Sequence, residues 1–126
     1  MKRNLLIYWF PVVAYCGLIF LLSSFSHPLP PAAELLSNKV LHGLEYSLLG
    51  FLSARALFSL DIGFSPALVC IIAFVFSALY GLSDEFHQWF VPGRNAAAGD
   101  FAADAVGAFL GAMAYWAFMA RRGVRP

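Results

Sequence analysis

The sequence predicts an all-α integral membrane protein, a four-transmembrane-helix bundle formed by a single domain of residues 1–126. Hydrophobic residues make up 61% of the chain and charged residues only 12%, whereas globular domains carry about 25% charged residues. The apolar residues form four runs, each about long enough to cross a bilayer, and Lys and Arg concentrate on one side of these runs. This composition excludes a soluble domain, and the net charge of +1 excludes a strongly basic nucleic-acid surface.

The four predicted spans cover residues 5–24, 40–60, 66–83 and 101–120. The first run is too long for the apolar region of a signal peptide and lacks a cleavage site, so it is interpreted as a membrane anchor. Three prolines within residues 28–31 end it. Residues 61–63 close the second run, and Ser65 and Pro66 open the third as N-cap and first helical residue.

The distribution of charge predicts the orientation, because cytoplasmic loops carry an excess of Lys and Arg. With four spans and a cytoplasmic N-terminus, six of the eight basic residues lie at the cytoplasmic edge. Six of the seven acidic residues then lie at the opposite edge. We therefore expect both the N-terminus and the C-terminus to be cytoplasmic.

Three polar stretches border or interrupt the apolar runs, and this topology brings all of them to the extracytoplasmic edge. Ionisable groups beside hydrocarbon are costly unless they are paired or hydrated, so they are functional candidates. Lys39, His42 and Tyr46 share one face of the second helix. The three stretches are Lys39/His42/Glu45, Asp84/Glu85/His87 and Arg94/Asp100/Asp104.

The fourth helix carries a single stripe of small and acidic residues. Asp100 and Asp104 are one turn apart, and the stripe continues through Gly107 and Gly111. Two glycines at this spacing let a neighbouring helix approach closely. The stripe therefore predicts that both aspartates face the bundle rather than lipid.

Four motifs, in chain order, resemble the VanZ-like membrane protein family. The resemblance covers nearly the whole chain and implies a multi-pass protein of the bacterial inner membrane. The family's namesake is associated with resistance to the glycopeptide teicoplanin. Many relatives carry Asn where this chain has Asp104, which favours a hydrogen-bonding role there. The motifs are Leu22-Ser23-Ser24, Lys39-x-x-His42-x-x-x-Tyr46, Gly81-Leu82-Ser83-Asp84-Glu85-x-x-Gln88-x-x-x-Pro92-Gly93-Arg94 and Asp100-x-x-x-Asp104-x-x-Gly107.

The cluster and the resemblance together predict an outward-facing polar pocket that binds an envelope amphiphile. The expected ligand is a membrane lipid, a lipid-linked cell-wall intermediate or a lipoglycopeptide, with Arg94 and Lys39 holding its phosphate or carboxylate. The oligomeric state stays open. The predicted ligand-binding residues are Lys39, His42, Tyr46, Asp84, Glu85, Gln88, Arg94, Asp100 and Asp104.

Two alternatives remain open. In a membrane enzyme acting on a lipid-linked phosphate, His42 or Glu45 would be the general base. Water or a metal would be oriented by Asp84 and Glu85 together with Asp100 and Asp104. In a structural partner subunit, the charges would pair only with one another.

In a more specific form of the enzyme hypothesis, the polar residues bind a metal ion. The spacing Asp100-x-x-x-Asp104 resembles the metal motif of CDP-alcohol phosphotransferases, but the upstream half of that motif is missing, and no HExxH signature is present. The sequence therefore predicts a site without metal or cofactor.

Overall fold

The computed structural model describes residues 5–26 and 31–123, and within the second helix its side chains from Asn38 onward. Over this part of the chain the fold is all-helical and contains four helices. This confirms the predicted helical class. The helices are α1 (Leu5–Ser23), α2 (Pro31–Phe58), α3 (Pro66–Gln88) and α4 (Ala98–Arg121).

The helix boundaries follow local sequence signals. The Ser65 side chain accepts a hydrogen bond from the Leu68 backbone N–H at 3.3 Å, and Pro66 takes the first helical position, as the sequence predicts. Helix α2 begins at Pro31, well before the predicted span at residue 40, because proline is tolerated in the first turn. Helix α3 continues to Gln88 rather than residue 83, because its last polar residues are buried against the bundle.

The helices run alternately up and down, which defines two ends of the bundle. At the first, here called the site end, α1 stops and α2 starts, and Lys39 of α2 pairs with Asp100 at the start of α4. At the opposite end Arg55 lies over the Tyr8 ring, 4.5 Å from its centroid. Its Nη1 also donates to the Ile7 carbonyl at 3.4 Å. Pro11 has no N–H to offer that carbonyl, so Arg55 compensates for the proline inside α1.

Helices α2 and α4 make the most extensive contact in the fold, and small residues form it. A Cβ atom built on Gly107 would overlap the backbone of Gly43, and one on Gly111 would overlap the backbone of Ser47. The predicted close approach at the Gly107/Gly111 stripe is therefore confirmed, and the neighbour is α2.

Three helices, α1, α3 and α4, are long and apolar enough to cross a membrane, in the part of the chain that the structure describes. Helix α2 has 28 residues, about 42 Å at 1.5 Å per residue, but its ionisable side chains make it less apolar. The outer faces of the bundle carry exposed side chains such as Leu6, Phe10 and Leu79. The predicted spans in α1, α3 and α4 are thus supported, and the span predicted in α2 stays a prediction.

Candidate functional site

The predicted polar residues converge at the site end in two adjoining groups. One group lines a cavity and consists of His42, Glu45, Asp84, Gln88 and Arg94. The other group, here called the inner cluster, lies between α2, α3 and α4, and His42 belongs to both. The inner cluster consists of Lys39, His42, Glu85, Asp100 and Asp104.

A buried His42–Asp104 pair is the centre of the inner cluster. His42 Nδ1 lies 2.8 Å from Asp104 Oδ1, and the two residues are 5% and 0% exposed. The glycine contact between α2 and α4 brings their backbones close enough for this pair. Gly81 of α3 leaves room for this pair, because a Cβ there would lie 3.0 Å from Asp104 and 3.1 Å from the buried Tyr46 ring. Tyr46 thus lies behind the site rather than in the cavity.

Lys39 and Asn38 hold the start of α4 against α2. The Lys39 Nζ atom lies 3.2 Å from Asp100 Oδ1, and Asn38 Nδ2 donates to Asp100 Oδ2 at 3.3 Å. The Lys39 side chain is 46% exposed, so this pair contributes about 0–1 kcal/mol. Its main effect is to orient Asp100 toward the interior.

Glu85 links α3 to the start of α4 and leaves one oxygen unused. Its Oε2 accepts a hydrogen bond from the Ala97 N–H at 3.0 Å. Its Oε1 lies 3.9 Å from His42 Nδ1, too far for a hydrogen bond. Among the described residues this buried oxygen has no hydrogen-bond partner, and neither has Asp104 Oδ2. Native proteins rarely leave such groups unsatisfied.

The cavity has a volume of about 610 Å³ and opens between α1, α2 and α3. One part of its wall is polar, and leucines from α1 and α2 form another part. A chamber with these two walls can accept a molecule with one charged and one apolar portion. The lining residues are Tyr15, Leu18, Leu22, Ser23, Asn38, Leu41, His42, Leu44, Glu45, Asp84, Gln88 and Arg94.

Arg94 reaches this cavity from the turn that follows α3. Gly93 adopts a φ of 80°, and the Arg94 N–H donates to the Val91 carbonyl at 3.1 Å. Glycine takes this conformation without a steric cost. Arg94 Nε is buried and has no hydrogen-bond partner within residues 5–26 and 38–123. The side chain forms no ion pair with a carboxylate of those residues, although Asp84 lines the same cavity.

The sequence assigned α1 only an anchoring role, whereas the structure makes it part of the cavity. The Tyr15 hydroxyl donates to the Glu45 carbonyl at 3.0 Å. Ser24 Oγ lies 3.0 Å from Nε2 of His87, whose ring is 4.6 Å from the Phe20 ring. His87 therefore contacts α1 and not the inner cluster. The signal available in the sequence was the Ser23–Ser24 pair at the end of an otherwise apolar run.

The comparisons with known proteins give one result. No curated protein and no solved structure matches the chain. The pattern of the VanZ/LLP1 family matches residues 8–119, a stretch that covers α2 and α3, most of α1 and α4, and every residue of the inner cluster and the cavity. The chain belongs to the VanZ/LLP1 family.

Proposed function

We propose that this protein is a bacterial inner-membrane protein with four spans in a single domain, both termini in the cytoplasm and the site end facing outward. The basic side chains of the described residues support this orientation. Arg55, Arg121 and Arg122 lie at the opposite end of the bundle, against Lys39 and Arg94 at the site end. The remaining basic residues, Lys2, Arg3 and Arg125, lie outside the described residues.

Cysteine labelling tests this orientation. In a background with Cys16→Ala and Cys70→Ala, we expect an impermeant maleimide to label Ala96→Cys in intact cells. We expect Gly123→Cys to react only after permeabilisation. Both positions are exposed and lie at opposite ends of the bundle. Labelling of Gly123→Cys from outside would contradict the four-span orientation.

We further propose that the cavity binds the anionic head of an envelope amphiphile, either a membrane lipid, a lipid-linked cell-wall intermediate or a lipoglycopeptide. The observation that carries this proposal is the buried Arg94 Nε, which has no hydrogen-bond partner among the described residues and lies in a cavity with a leucine wall. A phosphate or carboxylate would satisfy that donor through a charge-assisted hydrogen bond. The leucines would contact the first methylenes of an acyl or isoprenyl chain. Teicoplanin resistance would follow from holding such a molecule.

Replacing Arg94 by lysine tests specific recognition, because lysine keeps the charge and loses the planar fork of donors. We expect Arg94→Lys to bind short-chain phosphatidylglycerol at least tenfold more weakly in detergent, as measured by native mass spectrometry. Binding of phosphatidylcholine serves as the reference for a zwitterionic head. The matched control is Arg122→Lys, the same change at the opposite end of the bundle.

Lipid binding by Arg94→Lys equal to that of the unmodified protein would contradict recognition by the guanidinium. A second readout is growth of a teicoplanin-sensitive host that expresses each variant. We expect protection by the unmodified chain and by Arg122→Lys, and reduced protection by Arg94→Lys.

A second candidate function is a membrane enzyme that hydrolyses or transfers a lipid-linked phosphate. The His42–Asp104 pair favours it, because a carboxylate that orients an imidazole next to a cavity is a common general-base arrangement. Glu45, Asp84 and Glu85 would then position water or the leaving group. The structural-subunit alternative has less support, since within the described residues Arg94 lies beside a cavity and forms no ion pair.

A further inference from the structure

We infer that the inner cluster is a binding site for a divalent transition-metal ion, with His42, Glu85 and Asp100 as its ligands. Each of these residues offers one ligand atom, and the three atoms lie within 4.8 Å of one another. Metal–ligand bonds to nitrogen and oxygen are about 2.1 Å long, so three donors spaced evenly around one ion lie about 3.6 Å apart. The side chains would need to close by up to about 1 Å.

The unused carboxylate oxygen of Glu85 is an independent indication of a ligand. Glu85 is 5% exposed, its Oε2 already accepts from Ala97, and its Oε1 points toward His42 Nδ1 without bonding to it. Among the described residues nothing else satisfies this oxygen. A cation between Glu85 and His42 would satisfy it, and Glu85 would keep its tie to the backbone of α4.

The site end also contains more buried carboxyl groups than basic side chains, and a bound cation would offset this difference. Four carboxyl groups are buried there, whereas the permanently charged bases of this part of the structure are Lys39 and Arg94. If all four are ionised, Lys39 and Arg94 balance two of them, so two carboxylates of the described residues depend on a proton or a bound cation, because burial of unpaired charge is costly. A single divalent ion balances them. The four groups are Asp84, Glu85, Asp100 and Asp104.

The donor set indicates the class of metal. One imidazole nitrogen with carboxylate oxygens suits Mn²⁺ or Zn²⁺ better than Ca²⁺ or Mg²⁺, which prefer ligand sets made of oxygen alone. A cation on His42 Nδ1 would replace the hydrogen bond between that nitrogen and Asp104, so Asp104 Oδ1 would face the ion beside the other ligands. The sequence predicted no metal because the ligands come from three helices without a local signature. This inference does not depend on headgroup binding in the cavity.

Titration of the purified full chain with Mn²⁺ alone tests the site. The six-line electron paramagnetic resonance signal of free aqueous Mn²⁺ reports how much ion stays unbound. We expect saturable binding of one Mn²⁺ per chain, displacement by Zn²⁺ at lower concentration, and weak competition by Mg²⁺. Glu85→Gln keeps an oxygen for the Ala97 N–H and removes the charge, so we expect it to weaken Mn²⁺ binding at least tenfold.

Two further variants keep this test decisive. Asp61→Asn is the matched control, because it makes the same carboxylate-to-amide change in the loop at the opposite end, and we expect unchanged Mn²⁺ binding. Asp100→Asn replaces Glu85→Gln if circular dichroism shows that the latter does not fold, and we expect the same tenfold loss. The absence of saturable binding to the unmodified protein, or tight binding by folded Glu85→Gln or Asp100→Asn, would overturn the inference.

Discussion

Gly111→Ala will destabilise the bundle by about 1–3 kcal/mol, the typical cost of forcing extra atoms into a packed interface. The added methyl would overlap the backbone carbonyl of Ser47, which cannot rotate away as a flexible side chain would. Helices α2 and α4 must therefore separate, and the separation would also move His42 away from Asp104. We expect a lower midpoint of thermal unfolding in detergent and weaker binding at the site end.

The matched control for this change is Gly17→Ala. Gly17 lies inside α1, and a Cβ built there meets no heavy atom within 4 Å. Alanine favours the helix by up to about 1 kcal/mol relative to glycine, so Gly17→Ala should be neutral or stabilising. Thermal unfolding followed by size-exclusion chromatography compares the two variants. Equal stability of Gly111→Ala and the unmodified protein would show that α2 and α4 do not depend on this contact.

The helical class and the inward-facing aspartates were predictable because they depend on local patterns. Apolar run length defines the helices, and the spacing of Gly107 and Gly111 relative to Asp104 defines one face of α4. The helix boundaries were less predictable where a helix ends in polar residues. Helix α3 continues through Glu85 to Gln88, because burial of these side chains depends on neighbouring helices that hydropathy does not report.

The pairing within the site was only partly predictable. The depth of His42 in the second run predicted a buried partner, with Asp84 and Asp104 as candidates, and the structure shows Asp104. Gly81 leaves space for Asp104, because a Cβ there would lie 3.0 Å from it. The contributions of Tyr15 and Asn38 were not predicted, because nothing in a single sequence indicates which face of α1 meets α2. The division of the polar residues into the cavity group and the inner cluster was not predictable, because it depends on how the helices pack against one another.

His42 provides the second large expected effect, because its replacement changes both stability and function. Asp104 is fully buried, and His42 is its hydrogen-bond partner. His42→Ala leaves a buried carboxylate unsatisfied, which costs about 1–3 kcal/mol. An isolated interhelical hydrogen bond in a membrane contributes only about 0.6 kcal/mol. A decrease in the free energy of unfolding clearly above that value would therefore show the cost of leaving Asp104 buried without a hydrogen-bond partner. Thermal unfolding in detergent measures the difference.

His42→Gln then separates a binding role from proton transfer. The glutamine amide can donate to Asp104 but cannot titrate, so we expect a stability close to that of the unmodified protein. In a binding site, His42→Gln should retain affinity for short-chain phosphatidylglycerol within about threefold, whereas His42→Ala should lose it. In an enzyme, His42→Gln should bind the lipid-linked phosphate and fail to turn it over, because removing a general base costs about 10²- to 10⁴-fold in rate.

Asp104→Asn is the companion variant, since its amide oxygen still accepts a hydrogen bond from His42. Retained binding and retained teicoplanin protection in both His42→Gln and Asp104→Asn would reject the general-base role. We expect that result, because a site that works with an uncharged, hydrogen-bonding pair needs the orientation of these two groups and not their proton.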